Sequence, residues 1–400
     1  MKGRFSWCRR ALGGLLVVLT VQGQAFGVAP AEAQSTSPEQ AVLRVGPAKA
    51  IHTLAEAAKQ ARDGDTVEVD GGDYVGDVAV WRQNRLTIRA VGGRVRLIAS
   101  GANAEGKGSW VIRGGNVTVQ GFDFIGARVP DRNGAGIRLD KGQLVVIDCR
   151  FLDNENGILT ANHHEITLKI EDSEFGHNGA GDGQSHNLYA GGIGRLEVSG
   201  SHFHHARSGH LFKSRARENF VFYNRLVDGE SGQASYELEF PNGGFAYVVG
   251  NVIEQSATTE NFHVISFGAE GLRWPNNALY LANNTIVDLR SPPGVLLKVQ
   301  SGAGIFAANN LLVGRGSLEA AGPGTYSDNF LTDARAFVDM RAGDYRLKAK
   351  YPLVGKANPQ AQANGTDLHP RREFVAPRGT RPVPEKSPFN PGGMQSLGTP

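Results

Sequence analysis

VTVQGFDF (residues 117–124), VVIDCRF (145–151), IEDSEF (170–175), VSGSHF (198–203), VFYNRL (221–226), VVGNVI (248–253), LANNTI (281–286) and AANNLL (307–312) are versions of one apolar phrase. It returns about every 27 residues, the sign of a repeat architecture. Each copy leads through a turn into a second short strand, among them GILTA, HNLYAGG, GHLFKS, SYELEF, FHVISF and GVLLKV. A unit this short cannot bury its own apolar face, so successive units must stack. Coils of this period build an all-β molecule, a single right-handed parallel β-helix with a dry interior and a long flank. Side chains on that flank line up over several coils, a surface suited to an extended polymer.

The ends of the chain depart from the repeat. Residues 1–33 combine a basic start (Lys2, Arg4, Arg9, Arg10), an apolar run over 11–20 and Ala31-Glu32-Ala33 before Gln34. This is the pattern of a cleavable signal peptide, and the apolar run is too short to span a membrane. A secreted or periplasmic protein is therefore expected. Residues 34–44 read as a flexible lead-in. Leu54, Ala57, Ala58 and Ala61 recur at helical spacing and stop at Asp63-Gly64-Asp65, so a helix is expected to plug the first coil. The β-helix then spans 45–345. The proline-rich 346–400 reads as a last half-coil over DYRLKAKYPLVGKA followed by an extended strap.

Charge gives little direction. Cleavage after residue 33 removes four of the 42 Lys+Arg and one of the 39 Asp+Glu, leaving 38 of each. A neutral mature chain offers no field for nucleic acid, and no oligomer interface is marked. Cys149 is the one cysteine beyond the signal segment, which excludes an internal disulfide and suits a small core residue. Asn224, Asn251, Asn284 and Asn310 recur once per coil and read as an internal asparagine ladder. Phe175, Phe203, Phe222 and Phe245 read as stacked core.

Three successive second strands break the apolar-in, short-polar-out rule: SHNLYAGG (185–192), SGHLFKSRAREN (208–219) and ASYELEFPNGG (234–244). Neighbouring coils sit about 4.8 Å apart, so His186, Asn187, Tyr189, His210, Lys213, Arg215, Glu237 and Glu239 are expected to form one patch. The structural alternative is a solvated face in which Lys213, Arg215 and Arg217 bridge to Glu237 or Glu239. In GHLFKSRA, Leu211 and Phe212 are both apolar and one alone is expected to face the core. His202, His204, His205 and the pair His163-His164 lack acid or cysteine partners at ligand spacing and read as turn residues, so no metal ligand is assigned.

Two resemblances follow. The helix before GDTVEVDGGDYVG (64–76) resembles the N-terminal cap of the pectate-lyase-like β-helix superfamily, a likeness covering about residues 45–345. KSRARENFVFYNRLVDGESGQASYELEFPNGGFAYVVGNVI (213–253) resembles the active-site coils of the lyases that include chondroitinase B and alginate lyases. That resemblance places the family's catalytic lysine on Lys213, as a base removing the proton α to a uronate carboxylate. Two features depart from it. Glu239-Phe240-Pro241 stands where the family has Arg-His-Gly, and Ala206 and Ser208 stand where it has calcium-binding glutamates. No cofactor is expected; calcium is possible but the motif does not support it.

β-Elimination needs a base for an acidic C–H, cations for the carboxylate and an acid for the leaving oxygen. Lys213 beside Arg215 and Arg217 suits the base, since like charges favour the neutral amine. The arginines suit the carboxylate, and Tyr189 or His186 the acid. An equal assignment uses His210 as base, Tyr189 as acid and Lys213 as neutraliser. Asn187, Arg217, Glu237, Glu239 and Asn242 are the expected substrate-binding residues. The expectation is an exported polysaccharide lyase acting on an acidic glycan. The alternatives are a C5-epimerase, a glycoside hydrolase using Glu237 and Glu239, and a non-catalytic glycan-binding β-helix.

Overall fold

In the computed structural model the described residues are 40–359, 362–384 and 389–398. The expected signal segment, and the lead-in up to residue 39, lie outside them. Three parallel ladders run side by side. The first passes from Val42–Val45 through Thr66–Val75, Thr87–Ile98 and Val117–Gln120 to Thr325–Ser327. The second carries Phe122–Ile125, Arg150–Leu152, Glu174–Gly176 and His202–His204 on to Phe330–Thr332. The third has nine strands among the described residues, from Ala79–Trp81 to Val295–Val299. This is the parallel β-helix that the repeat predicts.

The pattern of each coil explains its folding. In Thr167–Glu171, Leu168 and Ile170 are buried while Thr167, Lys169 and Glu171 are not. Equivalent apolar positions then stack coil on coil, as in Val146, Ile170, Val198, Val221 and Val248. Each such side chain contributes about 1.5–3 kcal/mol of burial. Phe124, Phe151, Phe175 and Phe203 form an interior stack with ring centroids 5.0, 4.7 and 4.7 Å apart. Cys149 is a fully buried core thiol that desolvation pushes up to about 12.

Turns are secured by side-chain amides. Asn224, Asn251, Asn284, Asn310 and Asn329 are buried or half-buried, and each Oδ1 accepts from the backbone N–H of the preceding coil. Ser201 and Ser173 fill the same place in earlier coils. A second ladder of Asn154, Asn178 and Asn187 holds another turn.

The N-terminal helix, Leu54–Gln60, is capped by Thr53 and by Asp77, whose carboxylate accepts from Leu54 and Ala55 N–H. Leu54, Ala57 and Ala58 join the main core.

Four expectations change. The lead-in ends sooner than 44, because Val42–Val45 already pairs with Thr66–Val69. The described residues after 333 form no half-coil: Phe337–Asp339 and Asp344–Leu347 pair antiparallel and cover Val227, Val252, Val287 and Leu311 on the outside of the second ladder. Phe222 and Phe245 face outward on the first ladder, beside Phe220, Tyr247, Tyr280 and Phe306. Leu211 and Phe212 are both fully buried, since Leu211 lies in the turn before the strand Phe212–Ser214.

The tail runs back along the coils. Asn358 N–H donates to Asn309, Asn364 to the hydroxyls of Tyr247 and Tyr280, and Arg371 N–H to that of Tyr223. Arg378 reaches Asp148 and Gly379 N–H bonds Gly200 O. After the hairpin of Arg372–Phe374 and Thr380–Pro382, Gly392 and Gly393 return to Asn309 and Thr285.

Candidate active site

Strand register puts Tyr189, Lys213 and Glu239 side by side on consecutive coils of the third ladder. Their neighbours Leu188, Phe212 and Leu238 are fully buried in the core, so alternation sends Tyr189 and Lys213 outward with Glu239. Lys213 Nζ lies 3.4 Å from Glu239 Oε2, 3.5 Å from Glu270 Oε1 and 5.6 Å from the Tyr189 ring centroid. Arg215, two residues on, faces the same way. Its guanidinium carbon is 5.0 Å from the Tyr189 ring, and its Nη2 donates to both oxygens of Glu270 at 2.6 Å.

Behind this row are two histidines. His210 Nε2 is 2.8 Å from Glu239 Oε2, and His210 backbone N–H donates to His186 Nδ1 at 2.9 Å. Burial pulls His210 below its ordinary range, outweighing the hydrogen bond and charge of Glu239. Burial pushes Glu239 up, but the His210 hydrogen bond and Lys213 outweigh it, so its carboxyl falls below the usual range. The pair is thus a neutral imidazole donating to a carboxylate. Burial, reinforced by His210, Lys213 and Arg215, drives His186 well below its ordinary range. Glu270 is held below the carboxylate range: its partial burial works against this, and the Arg215 hydrogen bond and charge prevail.

The residues read from sequence separate into two groups. Lys213, Arg215, Tyr189, Glu239 and His210 come together. His186 belongs to the same cluster but is only 1% exposed, with Nδ1 already occupied, so it is a poor proton donor to a flank-bound substrate. Asn187 is fully buried and spent on the turn ladder, accepting from Asn178 and donating to Phe175 O and His204 O, which corrects its substrate-binding role. Glu237 does not share a face with Glu239. It precedes the strand, is fully buried, and neither carboxylate oxygen has a hydrogen-bond partner among the described residues. Arg217 is exposed in the following turn. Asn242 supports the site through its carbonyl, which accepts from Arg273 N–H. Lys213 sits between two carboxylates, not among free cations, which removes the like-charge argument for its basicity. The ion pair to Glu239 is the one the structural alternative anticipates.

Glu270 and Trp274 were not legible as site residues. Both sit on the excursion from Gly268 to Asn277, where Gly268 has φ +81° and Glu270 N–H bonds Pro241 O. Trp274 Nε1 donates to Arg215 O at 3.1 Å, and its ring packs on His164 with centroids 4.9 Å apart. The available signal was coil length: Asn251 and Asn284 are 33 residues apart, against 27 and 26 for the adjoining steps. Tyr236, 5.0 Å from the His210 ring, was also missed.

Calcium does not fit the place the resemblance suggests. Ala206 is buried and Ser208 exposed, and neither has a carboxylate. The carboxylates at hand, Glu239 and Glu270, are already held by His210, Lys213 and Arg215.

No family model matches this chain, and no curated protein matches it by sequence. Among solved structures it is similar to the pectate lyase Pel9A, at 13% identity and TM-score 0.54, covering 84% of this chain and 97% of that one. A polysaccharide lyase of the PL6 family, Pedsa3628 from Pseudopedobacter saltans, matches at 12% identity and TM-score 0.32, over 82% of this chain and 99% of that one. ORF18 of Geobacillus virus E2 matches at 14% and 0.36, over 68% of this chain and 53% of that one. The likeness to Pel9A is one of fold: the chain is a parallel β-helix.

Proposed function

We propose that this protein is an exported polysaccharide lyase cleaving a uronate-containing glycan by β-elimination. The observation that carries the reading is the outward row Tyr189–Lys213–Glu239, with Arg215 beside it, on the flank of a solenoid. In this reading a uronate carboxylate displaces Glu270 from Arg215, which pairs with it bidentately. Lys213 is the base that takes the proton α to that carboxylate, and the Tyr189 hydroxyl protonates the leaving oxygen. Glu239, braced by His210, positions the lysine. The Glu270 carboxylate is then a mobile counter-ion that substrate replaces. That the solved structure of Pel9A carries the name of a pectate lyase favours this class by analogy alone.

A second assignment takes His210 as base and Lys213 as neutraliser; it requires substrate to open the cluster, because His210 Nδ1 is buried, with no hydrogen-bond partner among the described residues. The hydrolase reading loses support. Glu237 is inside, and Glu239 and Glu270 are both ionised, leaving no protonated carboxyl to act as general acid.

The test is absorbance at about 235 nm, where an unsaturated uronide absorbs, over a panel of acidic and neutral polysaccharides with and without calcium. Lys213→Ala is expected to abolish the rise, with folding intact. His210→Ala is expected to slow it by about 10- to 100-fold as a positioning change, and complete loss in His210→Ala with residual turnover in Lys213→Ala would reverse the two roles. New reducing ends without absorbance would overturn the lyase reading. Amino-terminal sequencing of the exported product checks cleavage before Gln34.

A further inference from the structure

On the side of the coils formed by the second ladder, His177, His204 and His205 bring one ring nitrogen each to within 4.8 Å of one another. His204 Nδ1 and His205 Nδ1 face each other at 2.9 Å. His177 and His205 are equivalent residues of adjacent coils: each follows a strand whose members pair as Glu174 with His202 and Gly176 with His204. Both adopt left-handed backbone, φ +56° and +45°. That turn brings their rings together, 4.9 Å between centroids and nearly parallel.

Two further observations mark a built arrangement. The far nitrogen of His204, Nε2, lies 3.3 Å from Glu174 Oε1, and Glu174 is itself anchored by Arg378 of the tail at 3.5 Å. A carboxylate on the second nitrogen is how a ligating histidine is fixed in tautomer and orientation. Glycines also press the rings into place: a Cβ on Gly176 would lie 2.2 Å from His204 Cε1, and one on Gly229 2.7 Å from His205 Nε2.

We propose that His177, His204 and His205 form a binding site for zinc, with Glu174 as the outer carboxylate and water in the fourth position. Nitrogens about 2.0–2.1 Å from a tetrahedral ion are about 3.3 Å apart, so the facing Nδ1 atoms need open only slightly and the exposed His177 rotates in. Imidazole donors select a zinc-class ion over calcium, which takes oxygen ligands. The set was hidden in the sequence because His177 is 27 residues from His204 and joins it only through stacking. The site lies outside the Lys213 cluster and requires no particular activity.

The test uses untagged, chelator-treated full chain titrated with zinc chloride against a chromophoric chelator. One zinc per chain is expected, with a rise in unfolding temperature that calcium does not produce. His177→Ala and His205→Ala should each weaken binding at least tenfold, and Glu174→Gln about 10- to 100-fold. Cobalt(II) in place of zinc should give the visible absorption of a tetrahedral ion. No zinc uptake by the wild type, or equal affinity in folded His177→Ala and His205→Ala proteins, would overturn the proposal.

Discussion

Glu237 and Glu239 are two residues apart and occupy opposite surroundings. Glu239 meets His210 and Lys213 on the flank. Glu237 is sealed in, and its burial, then Asp228, push its carboxyl well above the ordinary range. Burial likewise lifts Asp228 to about 6 and Glu254 to about 7, the latter against the opposing charge of Arg225. These acids keep their protons in the folded chain at pH values where an unfolded chain has lost them. The stability that Glu254 contributes through its proton therefore falls as pH rises from about 4.5, the unfolded value for glutamate, to about 7, and then levels off. For Glu254 the loss is on the order of 3 kcal/mol. Glu254→Gln cannot ionise but can still accept from Tyr345, so denaturant midpoints at pH 5 and pH 8 should differ less in the variant than in the wild type. An unchanged difference would remove Glu254 from the account. Sequence reading put Glu237 outside because strict alternation was extended one residue past the strand, which begins at Leu238. Turn geometry, not strand geometry, decides that position, as it does for Asn187.

The coil is the element whose logic was most legible. Apolar alternation and the recurring asparagines gave the stack, the interior and the turn ladder, because those features depend only on neighbours one repeat away. Asn251 illustrates what the ladder contributes. Its Oδ1 accepts from both the backbone N–H and the amide of Asn224, and its own amide donates to Val221 O and Asn284 Oδ1. Asn251→Ala strands buried polar groups on two coils and should cost about 2–3 kcal/mol, measured by denaturant unfolding. Asn251→Ser should recover part of the loss, since Ser173 and Ser201 hold the same place elsewhere; no difference between the two variants would mean that the side-chain acceptor is dispensable there. What escaped the reading departs from the repeat. The excursion bearing Glu270 and Trp274 has no period, and its contacts to Arg215 span 55 and 59 residues. The histidine triad is a turn feature that appears only when two coils are superposed.

At the scale of the whole molecule, the described residues include no helix long and apolar enough to cross a membrane. The tail is what distinguishes this solenoid from a plain stack. A stacked array is coupled only through nearest neighbours and can open piecemeal. The tail touches coils from Asp148 to Asn309, joining units that otherwise never meet. A chain ended after residue 359 should lose the single unfolding transition, and hydrogen exchange should rise first around Tyr223, Tyr247 and Tyr280, whose hydroxyls the tail engages. Uniform protection in the shortened chain would show that the coils need no strap. The tail also leaves the ribosome after every coil it fastens. Its contacts reach back as many as 230 residues, so they close late and slow the final step of folding. Until they close, the nascent coils remain a loosely coupled series that one pulling force could unravel turn by turn; afterwards the same force must break several of them together.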